Sequence, residues 1–166
     1  GIKAGTTALL AALEGVASKQ INNIIVTSSD CRLGKPSSSQ EMIFGDAASA
    51  FLVGNENVIA EFKGSFSTTY DFVDHYRGEN NKFDRQWEDR WIRDLGFAQL
   101  IPEAINGFLE KYGMKMSDFS KVVYPCHYSA ARKQLNKKLE ITPEMEQTHL
   151  QAEVGESGTP HALLMM

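Results

Sequence analysis

Apolar residues crowd the start of the chain. Ala4, Ala8, Leu9, Leu10, Ala12, Leu13, Val16 and Ala17 follow one another closely enough to predict a helix that is apolar on nearly every side and therefore buried. Ile24-Ile25-Val26-Thr27, bounded by Asn22-Asn23 and Ser28-Ser29-Asp30, reads as a short buried strand. Ser28 to Gln40 has no periodicity and reads as a loop at a ligand or partner surface. Ile43 to Gly54 runs through tiny residues into Phe51-Leu52-Val53, the pattern of a central strand with close packing against it.

From Val58 to Tyr70, Ala60, Phe62, Gly64 and Phe66 alternate with polar residues, which predicts a half-exposed strand. Asp71 to Asp94 is heavily charged. In it Phe83, Trp87 and Trp91 recur every four residues, predicting an aromatic stripe on a charged helix that packs on the core, forms a lid or contacts another subunit; His75 falls here as a surface residue. Phe97 to Tyr112 forms an amphipathic helix that Gly113 ends, with Pro102 in its first turn. Ser117 to Ser120 begins a short helical turn or a loop, and Val122 to Tyr128 reads as a strand. Ser129 caps a helix burying Ala131, Leu135 and Leu139, and Thr142-Pro143-Glu144 starts another short helix.

Composition narrows the classes. The 166 residues are 42% apolar and 23% charged, ordinary for a globular chain with a sizeable core. A net charge of −4 without a basic run argues against nucleic acid, and no apolar stretch approaches the roughly 18 residues of a membrane span. Cys31 and Cys126 have no metal-ligand spacing, and two unpaired thiols suit a reducing cytoplasm. The chain opens inside an apolar helix and stops within Ala162-Leu163-Leu164-Met165-Met166, so it is expected to be an interior piece of a longer protein.

Three segments carry candidate chemistry. Gly5 permits a close approach at the start of the first helix, where orphan N–H groups carry partial positive charge. Pro125-Cys126-His127 ends a predicted strand, a usual place for a ligand in an α/β sheet. Val154-Gly155-Glu156-Ser157-Gly158-Thr159-Pro160-His161 is a tight turn before an apolar helix. Cys126 beside His127 is a weak candidate nucleophile, because neighbours on a strand face opposite ways.

In this order the segments resemble the thiolase superfamily, above all hydroxymethylglutaryl-CoA synthases and ketoacyl-acyl-carrier-protein synthases III. Lys3-Ala4-Gly5-Thr6-Thr7-Ala8-Leu9 is similar to the stretch after the family's nucleophilic cysteine. Gly45-Asp46-Ala47-Ala48-Ser49-Ala50 is similar to its F-G-D-G-A-G-A stretch. The cysteine position is Ile2, and the position of an active-site asparagine is Glu156. The resemblance implies a layered thiolase-like α/β fold of two similar halves, only partly covered, with residues 1–57 in the first half and 58–166 in the second.

It also implies acyl transfer and Claisen condensation of coenzyme A or acyl carrier protein thioesters, the thioester being a substrate and no separate cofactor or metal being needed. His127 and Glu156 are then the catalytic residues with Ile2 at the nucleophile position, and Gly5, Gly155 and Ser157 bind substrate. These groups are expected to converge on the start of the opening helix. An ionised carboxylate cannot donate to an oxyanion. Glu156 is therefore protonated by burial, or is a base working with His127, or marks a site that has lost the reaction. His161 could take over as donor. By analogy the protein is a homodimer or a catalytically silent subunit paired with an active one.

Overall fold

The computed structural model describes residues 2–166. Gly1, the head of the predicted first helix, lies outside them. The chain divides into two compact units, one running up to Lys63 and adding Leu150–Met166, the other formed by Gly64–His149.

In the first unit, helix α1 (Ala4–Ala17) lies on a two-stranded antiparallel sheet made of β1 (Asn23–Asp30) and β2 (Ala47–Gly54). The register pairs Ile25 with Leu52 and Thr27 with Ala50. Alternation along each strand sends Val26 and Val53 to the helix side, where they join Ala12 and Val16 in a small core with Leu9, Leu13, Ile24 and Phe51 around it. Ile25 and Leu52 stay exposed on the other face. The apolar run of α1 is thus buried on one face only, at Gly5, Ala12 and Val16. Its alanines are too small to form a second apolar ridge, so the expected all-round burial does not occur.

Between the strands, the predicted loop keeps an irregular path from Cys31 to Ser38 but gives Ser28–Asp30 to β1. It then enters a short helix α2 (Ser39–Ile43), where the Ser38 hydroxyl accepts from the Glu41 N–H as a cap. The unit closes with two short helices, α6 (Gln151–Val154) and α7 (His161–Leu164), separated by the glycine turn.

The second unit is built on α4 (Ile101–Tyr112) and α5 (Ser129–Lys138). Leu135, Leu139, Ala131, Cys126, Tyr124, Ile141, Met116 and Met145 form its core, with Phe97, Ile101, Ile105 and Leu109 packed on it. Helix α4 ends as the sequence requires, on Gly113 at φ 62°, with Pro102 in its first turn. Of the two alternatives for the stretch from Ser117, the structure has the helical turn, at Met116–Asp118. Tyr128 rather than Ser129 occupies the cap position of α5.

Four expectations fail in this unit or at its edge. Residues 58–70 form no strand. Around Ser65 the backbone is held instead by side chains of α4, the Ser65 N–H donating to the Tyr112 hydroxyl and its carbonyl accepting from Lys111 Nζ. Phe83 and Trp87 precede the helix they were expected to stripe. Residues 75–76 (β3) and 85–86 (β4) form a two-residue ladder, then comes one turn of α3 (Asp89–Trp91) and a nine-residue π-helix, Ile92–Leu100. Val122 to Tyr128 is extended but unladdered, with a single bridge from Val122 to Glu146. Thr142-Pro143-Glu144 is a turn whose Thr142 carbonyl accepts from Met145 and Glu146, not a helix.

Candidate functional site

The glycine turn is bonded into its unit as a parallel bridge between Phe44 and Glu156. The Glu156 N–H donates to the Ile43 carbonyl at 2.6 Å, and the Gly45 N–H donates to the Glu156 carbonyl at 3.3 Å. Gly155 and Gly158 take φ of 64° and 65°, so the two bends on either side of Glu156 need the left-handed conformation that glycine permits. A side chain at Gly45 would meet the Val154 carbonyl at 2.0 Å. The crowding read from the Gly45 stretch is this contact.

The same turn reaches the start of α1. A Cβ on Gly5 would stand 2.8 Å from the Thr159 carbonyl, 2.8 Å from Ser28 Oγ and 3.2 Å from Leu163 Cδ1. Asp30, at the end of β1, accepts from both the Thr159 N–H (3.3 Å) and the Thr159 hydroxyl (3.1 Å). The first turn of α1, the end of β1 and residues 155–161 therefore form one built corner. Ile2 sits half-buried in the turn just before Lys3, the helix cap.

Charge fills this corner. Arg32 and Glu156 are both buried, 3.9 Å apart, and the guanidinium lies 3.8 Å over the Phe44 ring. The Gly158 N–H also faces Glu156 Oε1, at 3.4 Å. A guanidinium and a backbone donor around a buried carboxylate favour its charged form. Asp46 holds the Arg32 backbone, accepting its N–H at 3.1 Å.

His161, fully buried, has Nδ1 3.8 Å from Glu156 Oε1. Its Nδ1 accepts from the Ser157 N–H at 3.1 Å, with Ser157 Oγ at 3.2 Å. A nitrogen that accepts an N–H carries no proton of its own, which places the ring hydrogen on Nε2.

His127 belongs to the Gly64–His149 unit. Its ring centroid lies 3.9 Å from that of Tyr128, tilted 38°. Tyr128 donates its hydroxyl to Asp89 Oδ1 at 2.9 Å and is also met by Gln86 Nε2. Burial, and then Asp89, push the Tyr128 hydroxyl pKa well above the usual tyrosine range, so it remains a donor. Cys126 is almost completely buried, which counts against it as a nucleophile. His75 is not the surface residue expected; its side chain is 10% exposed and stands 3.0 Å from Asp74, whose pKa burial pushes up but the hydrogen bond and charge of His75 hold below the usual range.

No protein-family profile matches the chain. Over 122 residues it is 30% identical to the hydroxymethylglutaryl-CoA synthase of Methanocaldococcus jannaschii, an alignment covering 74% of this chain and 35% of that protein. It superposes on the crystal structure of a hydroxymethylglutaryl-CoA synthase complexed with CoA with a TM-score of 0.82, over 98% of this chain and 45% of that one, at 15% identity. The chain has the thiolase-like fold. A 3-oxoacyl-(acyl-carrier-protein) synthase III shares this thiolase-like fold with it at a TM-score of 0.73 and 16% identity, over 98% of this chain and 56% of the other. The resemblance read from the sequence is borne out on both sides, and the chain spans about a third of the length of the synthases it matches.

Within this thiolase-like chain, Gly5, Gly155, Glu156, Ser157 and His161 come together in the first unit, and His127 stands in the second. Arg32 is the residue that sequence reasoning missed. A lone arginine in a Ser/Gly loop carries no local sign that its partner lies more than a hundred residues away. No group of three His, Cys, Asp or Glu among the described residues could hold a metal ion, and no helix among them is long and apolar enough to cross a membrane.

Proposed function

We propose that this chain is part of an acyl-CoA condensing enzyme of the hydroxymethylglutaryl-CoA synthase type. Such an enzyme moves an acyl group from a thioester to an enzyme thiol, releasing the carrier thiol; the enolate of a second thioester then attacks the bound acyl carbonyl to form a carbon–carbon bond, and water cleaves the remaining enzyme thioester to free the product and the thiol. The observation that supports this reading best is the corner itself: Gly5 at the start of α1 touches Thr159 of the glycine turn, as a site organised on that helix end requires. A solved structural neighbour binds CoA, which supports a coenzyme A thioester as substrate. In this reading His127 moves the proton, while Gly5, Gly155 and Ser157 shape the acyl-binding end through their backbone. Residues 1–57 belong to the first thiolase-like half and 58–166 to the second. The protein works in the cytoplasm as a homodimer or with a thiolase-fold partner.

Two observations favour a second reading, a catalytically silent subunit: Ile2 occupies the nucleophile position, and a buried Glu156 stands 3.9 Å from Arg32 where the resemblance has an asparagine. The two are separated by incubating the full-length protein and its Ile2→Cys variant with radiolabelled acetyl-CoA. Both readings expect no base-labile adduct on the unaltered chain at this position. An adduct on the introduced thiol supports a site that still handles acyl groups, and an unlabelled variant supports the silent subunit.

A further inference from the structure

The tyrosine whose ring lies against His127 is held by more polar contacts than an ordinary surface tyrosine needs. Tyr128 is fixed at both ends. Its carbonyl accepts the Arg132 N–H at the start of α5 (2.9 Å) and faces Cys126 Sγ at 3.6 Å, while its hydroxyl is held by Asp89 and Gln86. Asp89 lies in the first turn of α3, capped by Glu88, and Gln86 is paired with His75 across the β3–β4 ladder. Phe97 meets the Tyr128 ring edge-on at a centroid distance of 5.9 Å. The ring that faces His127 is thus restrained by α5, α3, the π-helix and the small ladder together, and a network bonded at every member is stiff.

We propose that Tyr128 is a positioning residue for His127: an aromatic platform, anchored through its hydroxyl to Asp89 and Gln86, that fixes the plane of the imidazole. An aromatic ring against an imidazole restricts rotation about the side-chain bonds through contact with the ring face. The role rests on the reading of His127 as the proton carrier, since an idle histidine needs no fixed plane. It goes beyond that reading by naming the residues that hold the group.

The test uses the full-length protein and two measurements. In proton–nitrogen NMR spectra with His127 assigned through His127→Gln, the ring-current shift of the His127 ring proton reports the Tyr128 platform. It is expected to vanish in Tyr128→Leu and to shrink in Asp89→Ala, a change at an exposed position that should leave the fold intact; Tyr128→Phe retains most of it. In the Ile2→Cys background, kcat for condensation is expected to fall about tenfold in Tyr128→Leu with KM unchanged and to recover partly in Tyr128→Phe, a loss of orientation rather than of binding. An unchanged ring shift in both Tyr128→Leu and Asp89→Ala overturns the proposal. If the shifts move as expected but His127→Gln leaves condensation unaltered, the platform stands and the assignment of His127 as proton carrier falls.

Discussion

Each unit of the molecule holds an arginine, a glutamate and a histidine in one cluster, and the two clusters are built on opposite terms. Arg32, Glu156 and His161 are sealed in: their side chains are 2%, 9% and 0% exposed and lie 3.8–3.9 Å apart, and backbone N–H groups of the glycine turn donate to His161 and Glu156. Arg132, Glu146 and His149 lie nearer the surface. Glu146 there meets Arg132 Nε at 3.2 Å and His149 Nε2 at 2.8 Å, with the glutamate 24% exposed. The difference teaches where charge is structural. In water-excluded surroundings a charge without its partner is costly, whereas near the surface solvent replaces a lost partner.

The largest effect should come from breaking the sealed cluster. Arg32→Ala leaves Glu156 buried without its cation and is expected to lower stability by about 3–5 kcal/mol, read from the urea unfolding midpoint. A loss below about 1 kcal/mol would mean that the turn relaxes and lets water in. Next in size is Gly5→Ala, whose Cβ would press on the Thr159 carbonyl and Ser28 Oγ at 2.8 Å. Overpacking of this kind costs about 1–3 kcal/mol, and unaltered thermal stability would show that α1 and the turn do not share a corner. Arg132→Ala in the other unit should cost about 1 kcal/mol or less and become smaller still in high salt.

The smallest effect is a pH dependence. Burial raises the Glu146 pKa, but hydrogen bonds from His149 and Asn136 and the charge of Arg132 outweigh it and hold the group below the ordinary glutamate value of 4.5. A depressed folded-state pKa means stability that is present above 4.5 and lost as the pH falls through the lower folded value. Glu146→Gln should therefore flatten the decline of stability below pH 4.5 while changing little at neutral pH. An equally steep decline in the variant would remove Glu146 from the account.

The sequence made legible what short-range pattern decides. Helix α4 was readable because Pro102, an apolar stripe and Gly113 all act within a few residues of one another, and β1 because Ile24, Ile25 and Val26 favour no other local state. The alternation around Phe66 misled because an alternating stretch becomes a strand only where a second strand offers a ladder; here Tyr112 and Lys111 supply the hydrogen bonds, and the Phe66 ring fills the space left at Gly107. Trp87 and Trp91 do meet, at 6.1 Å, but through the turn into α3, with Phe72 stacked on Trp91 at 4.1 Å. The glycine turn was legible as a turn and by its resemblance. That Glu156 would face Arg32 was not, because the partners of buried charges are chosen by the tertiary fold.

The central claim is that the first turn of α1 and the glycine turn together form the acyl-handling end of this thiolase-like chain. A crystal structure of the full-length protein with a stable thioether analogue of acetyl-CoA tests it most directly. The account predicts the acyl carbonyl at the start of α1, within hydrogen-bond reach of backbone N–H groups at Ile2 to Gly5 or Gly155 to Thr159. Well-defined density for the analogue with its acyl group elsewhere, and solid protein packing over that helix start, would contradict it.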